Sequence, residues 1–197
     1  MSSAFGVVLD ANVLIPMAVC DTLIRTAQVR MYRPHWTATI LDETERNLVK
    51  KLGITPASAQ RRRQRMEAAL PHAMTVDYEN LLVAMTNDPK DRHVLAAAVH
   101  AGAQVIVTEN LRDFPAAACG KHNVEARSTD QFLSDLLDMD PEIMFQVICE
   151  QASDLKAPAQ SIEQVLVSLA RIAPEFARDA FHIFDEISKV ALAIPHH

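Results

Sequence analysis

Hydrophobic and polar positions divide the chain into two kinds of stretch. Phe5 to Asp10 is a short unbroken apolar run ending in an acid, which predicts a parallel strand buried on both faces. Residues 13 to 30 then predict a helix. Trp36 to Lys51 predicts a second, with Thr37 or Thr39 as cap, Ile40, Leu41 and Leu48 facing inward and Gly53 as the stop. Thr55-Pro56 restarts a helix over 56 to 70, and Pro71 ends it ahead of a candidate strand at Met74 to Asp77. Asp88 as N-cap and Pro89 at the first helical position open a helix over 88 to 102, with Val94, Leu95, Ala98 and Val99 on one apolar face and Gly102 closing it. Gln104 to Thr108 reads as another buried strand, Asn123 to Arg127 as a last one, and Thr129 to Leu137 as a helix. Strands alternating with helices predict an α/β fold on a parallel sheet.

From Asp140-Pro141 the pattern turns wholly helical. Ile143, Met144, Val147 and Ile148 make one stripe; a Ser161-x-x-Gln164 capping box introduces Ile162, Val165, Leu166 and Leu169; Phe181, Phe184 and Ile187 make another. This predicts a first domain over 1–140 and an all-helical extension over 141–197, with Ala157-Pro158-Ala159 as a short linker between helices. The apolar stripes of the extension must be buried, against its own domain, a second copy or another protein. His196 and His197 at the close bear no weight in this reading.

Composition narrows the class. With 49% hydrophobic and 22% charged residues the chain has the make-up of a globular protein. No apolar run approaches the ~18 residues of a membrane span and no secretory leader is legible, so a cytoplasmic protein is expected. Cys20, Cys119 and Cys149 are odd in number and widely spaced, which argues against a disulfide framework or a zinc site. A formal net charge of -6 and a pI near 5.7 speak against holding nucleic acid by bulk positive potential. An acidic centre with a local basic rim remains compatible with a nuclease.

In an open α/β sheet, ligands sit beyond the carboxyl ends of the strands. Asp10 ends the first strand and Asp113 follows the strand at 104 to 108; Glu43, early in the second helix, and Asp91, in the first turn of the 88–102 helix, can point into the same crevice. Carboxylates about 4 Å apart repel by roughly 4 kcal/mol per pair at an effective dielectric of about 20, so several stay ionised together only around a cation. An all-oxygen site suits Mg2+ or Mn2+, which orients water, lowers its pKa and neutralises charge growing on an attacked phosphodiester. Plainer roles compete at every position. Asp10 or Asn12 can cap the following helix, Asp88 and Asp91 the 88–102 helix, Glu43 vies with Asp42 and Glu45, and Asp113 suits a turn before Phe114-Pro115.

Taken together, Val8-Leu-Asp-Ala-Asn-Val-Leu14, Ile40-Leu-Asp-Glu43 with Asn47-Leu48, Asp88-Pro-Lys-Asp-Arg-His-Val-Leu-Ala-Ala-Ala98 and Val107-Thr-Glu-Asn-Leu-Arg-Asp-Phe-Pro115 resemble PIN-domain ribonucleases of the VapC toxin type, over residues 7 to about 133. The resemblance implies a PIN-like parallel sheet flanked by helices and a divalent-metal-dependent endoribonuclease acting on RNA. It also implies a homodimer and an antitoxin protein as partner. It assigns Asp10, Glu43, Asp91 and Asp113 to the catalytic and metal-binding set, with Asn110 and Asp88 as alternates for the last and Asn12 and Thr108 as supporting groups. Arg92 and His93 beside Asp91, and Arg61, Arg62 and Arg65 on the 56–70 helix, are candidates for steering backbone phosphates; Arg63 completes that arginine run, and a solvated face paired with acids is the plain alternative.

Rival classes fare less well. A receiver-type phosphorylation domain needs an adjacent acid pair at the first strand and a late lysine; a haloacid-dehalogenase phosphatase needs an Asp where Asn12 stands. A catalytically inactive PIN-like module that binds RNA or protein is the remaining alternative, against which the four intact acids weigh.

Overall fold

The computed structural model describes residues 5–155 and 159–193. Ala157 and Pro158 of the expected linker and the closing His196 and His197 lie outside the described residues. The chain divides into two compact units, Met1–Ser128 and Thr129–His197, so the helix at 129 opens the second unit, ahead of the boundary near 140 expected above.

The first unit is built on β1 (Gly6–Leu9), β2 (Arg33–His35), β3 (Val105–Val107) and β4 (Glu125–Arg127), paired in the order β2-β1-β3-β4 with every pairing parallel. Val7, Val8, Leu9, Ile106 and Val107 are fully enclosed, which is why the two central strands read as unbroken apolar runs. The edge strand β2 escaped sequence reading because Arg33-Pro34-His35 has neither alternation nor an apolar run, and Pro34 is tolerated only at an edge. The strand expected at Met74 to Asp77 reduces to a single bridge between Met74 and Trp36.

Helices α1 (Met17–Gln28), α2 (Ala38–Leu52), α3 (Pro56–Ala69), α4 (Arg92–Ala101) and α5 (Ala116–Cys119) accompany the sheet. The helix expected over 13 to 30 is two pieces: a 3-10 turn over Ala11–Leu14, then α1 beyond Pro16, which lacks the N–H that would carry a helix through. α2 keeps its expected caps, Thr37 accepting from the Ile40 N–H and Gly53 in the left-handed region at φ 65°. α3 likewise has Thr55 as cap and Pro56 in its first turn. α4 departs from expectation: Asp88 to Asp91 form a turn, and the helix starts at Arg92 with Asp91 as its cap residue. Asp-Pro-Lys-Asp suits both a turn and a helix start, and the Asx bond from the Lys90 N–H to Asp88 Oδ1, 2.9 Å, selects the turn.

Ala96, Ala97 and Ala98 are fully buried, and α4 packs on β1 and β3 with little side chain between backbones. Gly6 faces the turn just past α4: a Cβ there would stand 2.9 Å from the backbone Cα of Ala103. Gly6→Ala is therefore expected to cost about 1–3 kcal/mol, the price of overpacking against a backbone that cannot rotate away. A melting curve checks it, and an unchanged midpoint would mean the 102–104 turn yields.

The second unit is helical throughout its described residues: α6 (Thr129–Met139), α7 (Pro141–Asp154), α8 (Ile162–Leu169) and α9 (Pro174–Ala193). The capping box expected from Ser161 and Gln164 is formed in both directions. Asp130 of α6 caps α9, its carboxylate accepting from the N–H groups of Glu175 at 3.2 Å and Phe176 at 2.9 Å. Phe132, Leu133, Leu136, Met144, Ile148, Leu169 and Phe176 lie in the core of this unit. Among the described residues no helix is long and apolar enough to cross a membrane.

Candidate active site

The strand order makes the chain leave β1 and β3 on opposite sides, so the crevice of the sheet opens beyond their carboxyl ends. Asp10 and Thr108 are the residues immediately after these two strands. Asp10 is buried at 3% exposure, and its carboxylate is held at three points. Oδ1 accepts from the Ala11 N–H at 2.7 Å; Oδ2 accepts from the Thr108 hydroxyl at 2.7 Å and from Asn12 Nδ2 at 2.7 Å. Asn12 Nδ2 also reaches Thr108 Oγ1 at 3.0 Å, and Asn12 Oδ1 accepts from the Glu109 N–H at 3.1 Å. Thr108 Oγ1 accepts in turn from the Asn110 N–H at 3.0 Å. Burial pushes the Asp10 carboxyl up, opposed by Thr108 and the Ala11 amide, while the charge of Glu43 pushes it further.

Asp91 makes no side-chain cap bond, so its carboxylate is not used by the helix it precedes. Its pKa is pushed up to about 6, first by burial and then by the charges of Asp10, Asp113, Asp88 and Glu43. Four acids, Asp10, Glu43, Asp88 and Asp113, thus lie near enough for their charges to act on this one carboxylate. Asp88 is tied to Asp113 through its N–H, 3.2 Å from the Asp113 carbonyl, and Asp113 is fixed by its own N–H to the Asn110 carbonyl at 2.9 Å. Asn110 is exposed and contributes its backbone on both sides of this contact.

Glu43, on α2, is raised by burial and lowered by Arg46, whose Nη2 stands 3.9 Å away. His93 Nε2 lies 3.6 Å from Glu43 Oε1. Neither ring nitrogen of His93 has a hydrogen-bond partner, burial holds its pKa down, and the Asp10 charge acts in the opposite sense. Arg92 has a buried Nε without a partner. Next to Asp88, the buried Asn87 leaves both ends of its amide unpaired; nothing in the sequence marked it.

Carboxylates and neutral oxygens make up this centre, the donor chemistry of a hard divalent cation. Among the described residues no group of three or more His, Cys, Asp or Glu side chains is placed to hold a metal ion as it stands. Mg2+ retains several waters and commonly takes only one or two carboxylates directly, which fits carboxylates spread around a crevice.

The arginines of α3 divide by position. Arg61 Nη2 turns back to Ser58 Oγ at 2.9 Å, and Arg65 is exposed. Arg62 is engaged inside the protein, its Nη2 donating to the Leu14 carbonyl at 2.6 Å and Nη1 to the Ile15 carbonyl at 3.0 Å. Arg63 bridges Asp42, Glu45 and Glu67. The acidity of the whole chain is also unevenly placed: residues 1–128 carry 15 Lys and Arg against 13 Asp and Glu, residues 129–197 four against 12. With five acids drawn to the crevice, the rest of the first unit presents an excess of positive charge, a signal that the total of -6 concealed.

Residues 6–112 match the PIN domain family model, and residues 129–180 match the VapC50 C-terminal domain model. A protein of Mycobacterium tuberculosis named "Putative ribonuclease VapC50" is 38% identical over 125 residues, covering 64% of this chain and 74% of that protein. No solved structure matches the chain. A parallel sheet with acids at its switch point, a first unit matched by one model and a helical unit by the other show that the chain belongs to the PIN-domain family, in its VapC branch.

Proposed function

We propose that this protein is a metal-dependent endoribonuclease, the toxin of a toxin–antitoxin pair, in which Asp10, Glu43, Asp91 and Asp113 hold Mg2+ or Mn2+ and Asp88 is the reserve ligand. What supports the reading is that the charges of Asp10, Asp113, Asp88 and Glu43 all act on the Asp91 carboxylate, with Asp10 directly after β1. The ion supplies an activated water and charge neutralisation at the scissile phosphate. The protein's part is to hold oxygen donors in place: Thr108 and Asn12 fix Oδ2 of Asp10, the Ala11 amide fixes Oδ1, and the 88–91 turn presents Asp91 without a competing cap bond. No side chain is needed as nucleophile.

RNA is the substrate, steered by Arg92, Arg61 and Arg65 on a unit whose surface outside the crevice is net basic. The family supplies the remaining expectations: a cognate antitoxin protein, a homodimer and a place in the cytoplasm. Melting with metal tests the centre. Manganese at about 100 times its dissociation constant is expected to add about 2.7 kcal/mol of stability to the wild type. The Asp10→Asn, Asp91→Asn double variant is expected to gain none, and a wild-type protein indifferent to manganese would favour an inactive binding module.

A further inference from the structure

Two adjacent arginines of α3 reach in different directions, and each ends on the support of a different acid. Arg62 closes on the carbonyls of Leu14 and Ile15, 48 and 47 residues away in sequence. Those carbonyls end the 3-10 turn that Asp10 begins: the Asp10 carboxylate accepts from the Ala11 N–H, its carbonyl from the Val13 N–H at 3.2 Å, and Asn12 lies inside the turn. One 3-10 turn has little stability of its own, and Pro16 separates it from α1, whose bonding restarts with the Cys20 N–H on the Pro16 carbonyl. Arg63 holds Asp42 and, at 3.1 Å, Glu45, the acids on either side of Glu43 on α2, while its own helix contributes Glu67 at 3.1 Å.

We infer that Arg62 and Arg63 are positioning residues, a brace by which α3 fixes the Asp10 turn and the Glu43 helix relative to each other. The inference rests on the nuclease reading for its functional meaning, and it gives the arginine run a purpose other than phosphate contact. Lysine is a poor substitute at either place, because a single ammonium cannot reproduce a planar fork with five donors closing on two carbonyls or three carboxylates.

The experiment compares wild type, Arg62→Lys, Arg62→Met and Arg63→Met in RNA cleavage with magnesium, in RNA binding as a function of salt, and in amide exchange at Val13. The brace requires kcat to fall on the order of tenfold to a hundredfold, the cost of a misplaced catalytic group. KM and the salt slope stay near wild type, Arg62→Lys recovers part of the rate, and Val13 exchange quickens in Arg62→Met. Weaker RNA binding with a salt slope reduced by about 0.7 at unchanged kcat would instead make these residues phosphate contacts. A lower melting point with unchanged kcat would leave them purely structural, and either result overturns the inference. Should the wild type cut no RNA, the nuclease reading fails by itself, and unaltered Val13 exchange in Arg62→Met would overturn the brace separately.

Discussion

Asp10→Asn is expected to reduce RNA cleavage by about a thousandfold or more while leaving the melting point of the metal-free protein within a few degrees of wild type. The large kinetic effect follows from the position of the carboxylate. It is buried directly after β1, and exchanging a unit charge for a neutral amide beside a divalent ion removes at least about 4 kcal/mol at an effective dielectric of about 20. The small effect on stability is a near-cancellation. Both oxygens of Asp10 accept hydrogen bonds, so the amide nitrogen of the variant must face a donor at one of them, at a cost of about 1–3 kcal/mol. Against that, the burial and the Glu43 charge that raise the Asp10 pKa no longer act on an ion. Asn is also as good a cap as Asp for the following turn. Rate and melting measurements on one preparation separate the two effects. A variant that cleaves like wild type would remove Asp10 from the chemistry.

With metal below saturation, cleavage is expected to fall as pH drops below about 6, because Asp91, whose pKa in the metal-free protein is pushed up to about 6, must lose its proton to serve a cation. The raised pKa has the opposite consequence for the metal-free fold. The unfolded carboxyl titrates near the ordinary value of 3.8 and the folded one near 6, so between these pH values the folded state binds more protons. Stability therefore falls as pH rises from about 4 to about 6 and stays lower above that. The carboxyl is half-exposed, so water screens the repulsion and roughly 1 kcal/mol remains, about 2–4 °C in melting temperature. Asp10 and Glu43 are shifted in the same direction and add to the trend. Asp91→Asn is expected to flatten much of this slope in melting curves taken with EDTA. A cleavage rate flat from pH 5 to 7.5 would show that Asp91 does not titrate in the working site.

What could be read in the sequence is what depends on neighbours along the chain. Val7-Val8-Leu9 and Val105-Ile106-Val107 announced central strands because both of their faces are buried. Gly53, Gly102 and the Ser161 box announced helix ends because capping is local chemistry. β2 was hidden, since its place at the edge is set by pairing with β1 rather than by its own three residues. The start of α4 was misplaced because Asp88 and Asp91 are each competent caps; the Asx bond from the Lys90 N–H to Asp88 Oδ1 and the Asp88 N–H bond to the Asp113 carbonyl together hold the turn.

Asp10 and Asp113 were candidates because strand ends are legible, whereas Glu43 and Asp91 were assigned by the family resemblance. Thr108, named beforehand as a supporting group, does bond Asp10 across 98 residues, but the approach of His93 to Glu43 from another helix and the ends of Arg62, 47 and 48 residues away, were not legible. A row of arginines gives the same pattern whether it faces phosphate or carbonyl oxygen. The overall charge misled for a simpler reason, since it summed a near-neutral first unit with a strongly acidic second one.

The proposed ribonuclease activity depends on both the carboxylates around Asp91 and a divalent metal. It is tested most directly by incubating total cellular RNA with the purified protein and with the Asp10→Asn, Asp91→Asn double variant, each in magnesium, manganese or EDTA. Discrete fragments produced by the wild type only with metal, and absent in every lane of the double variant, are the expected result. Fragments that persist in EDTA, or that the double variant also produces, would contradict it.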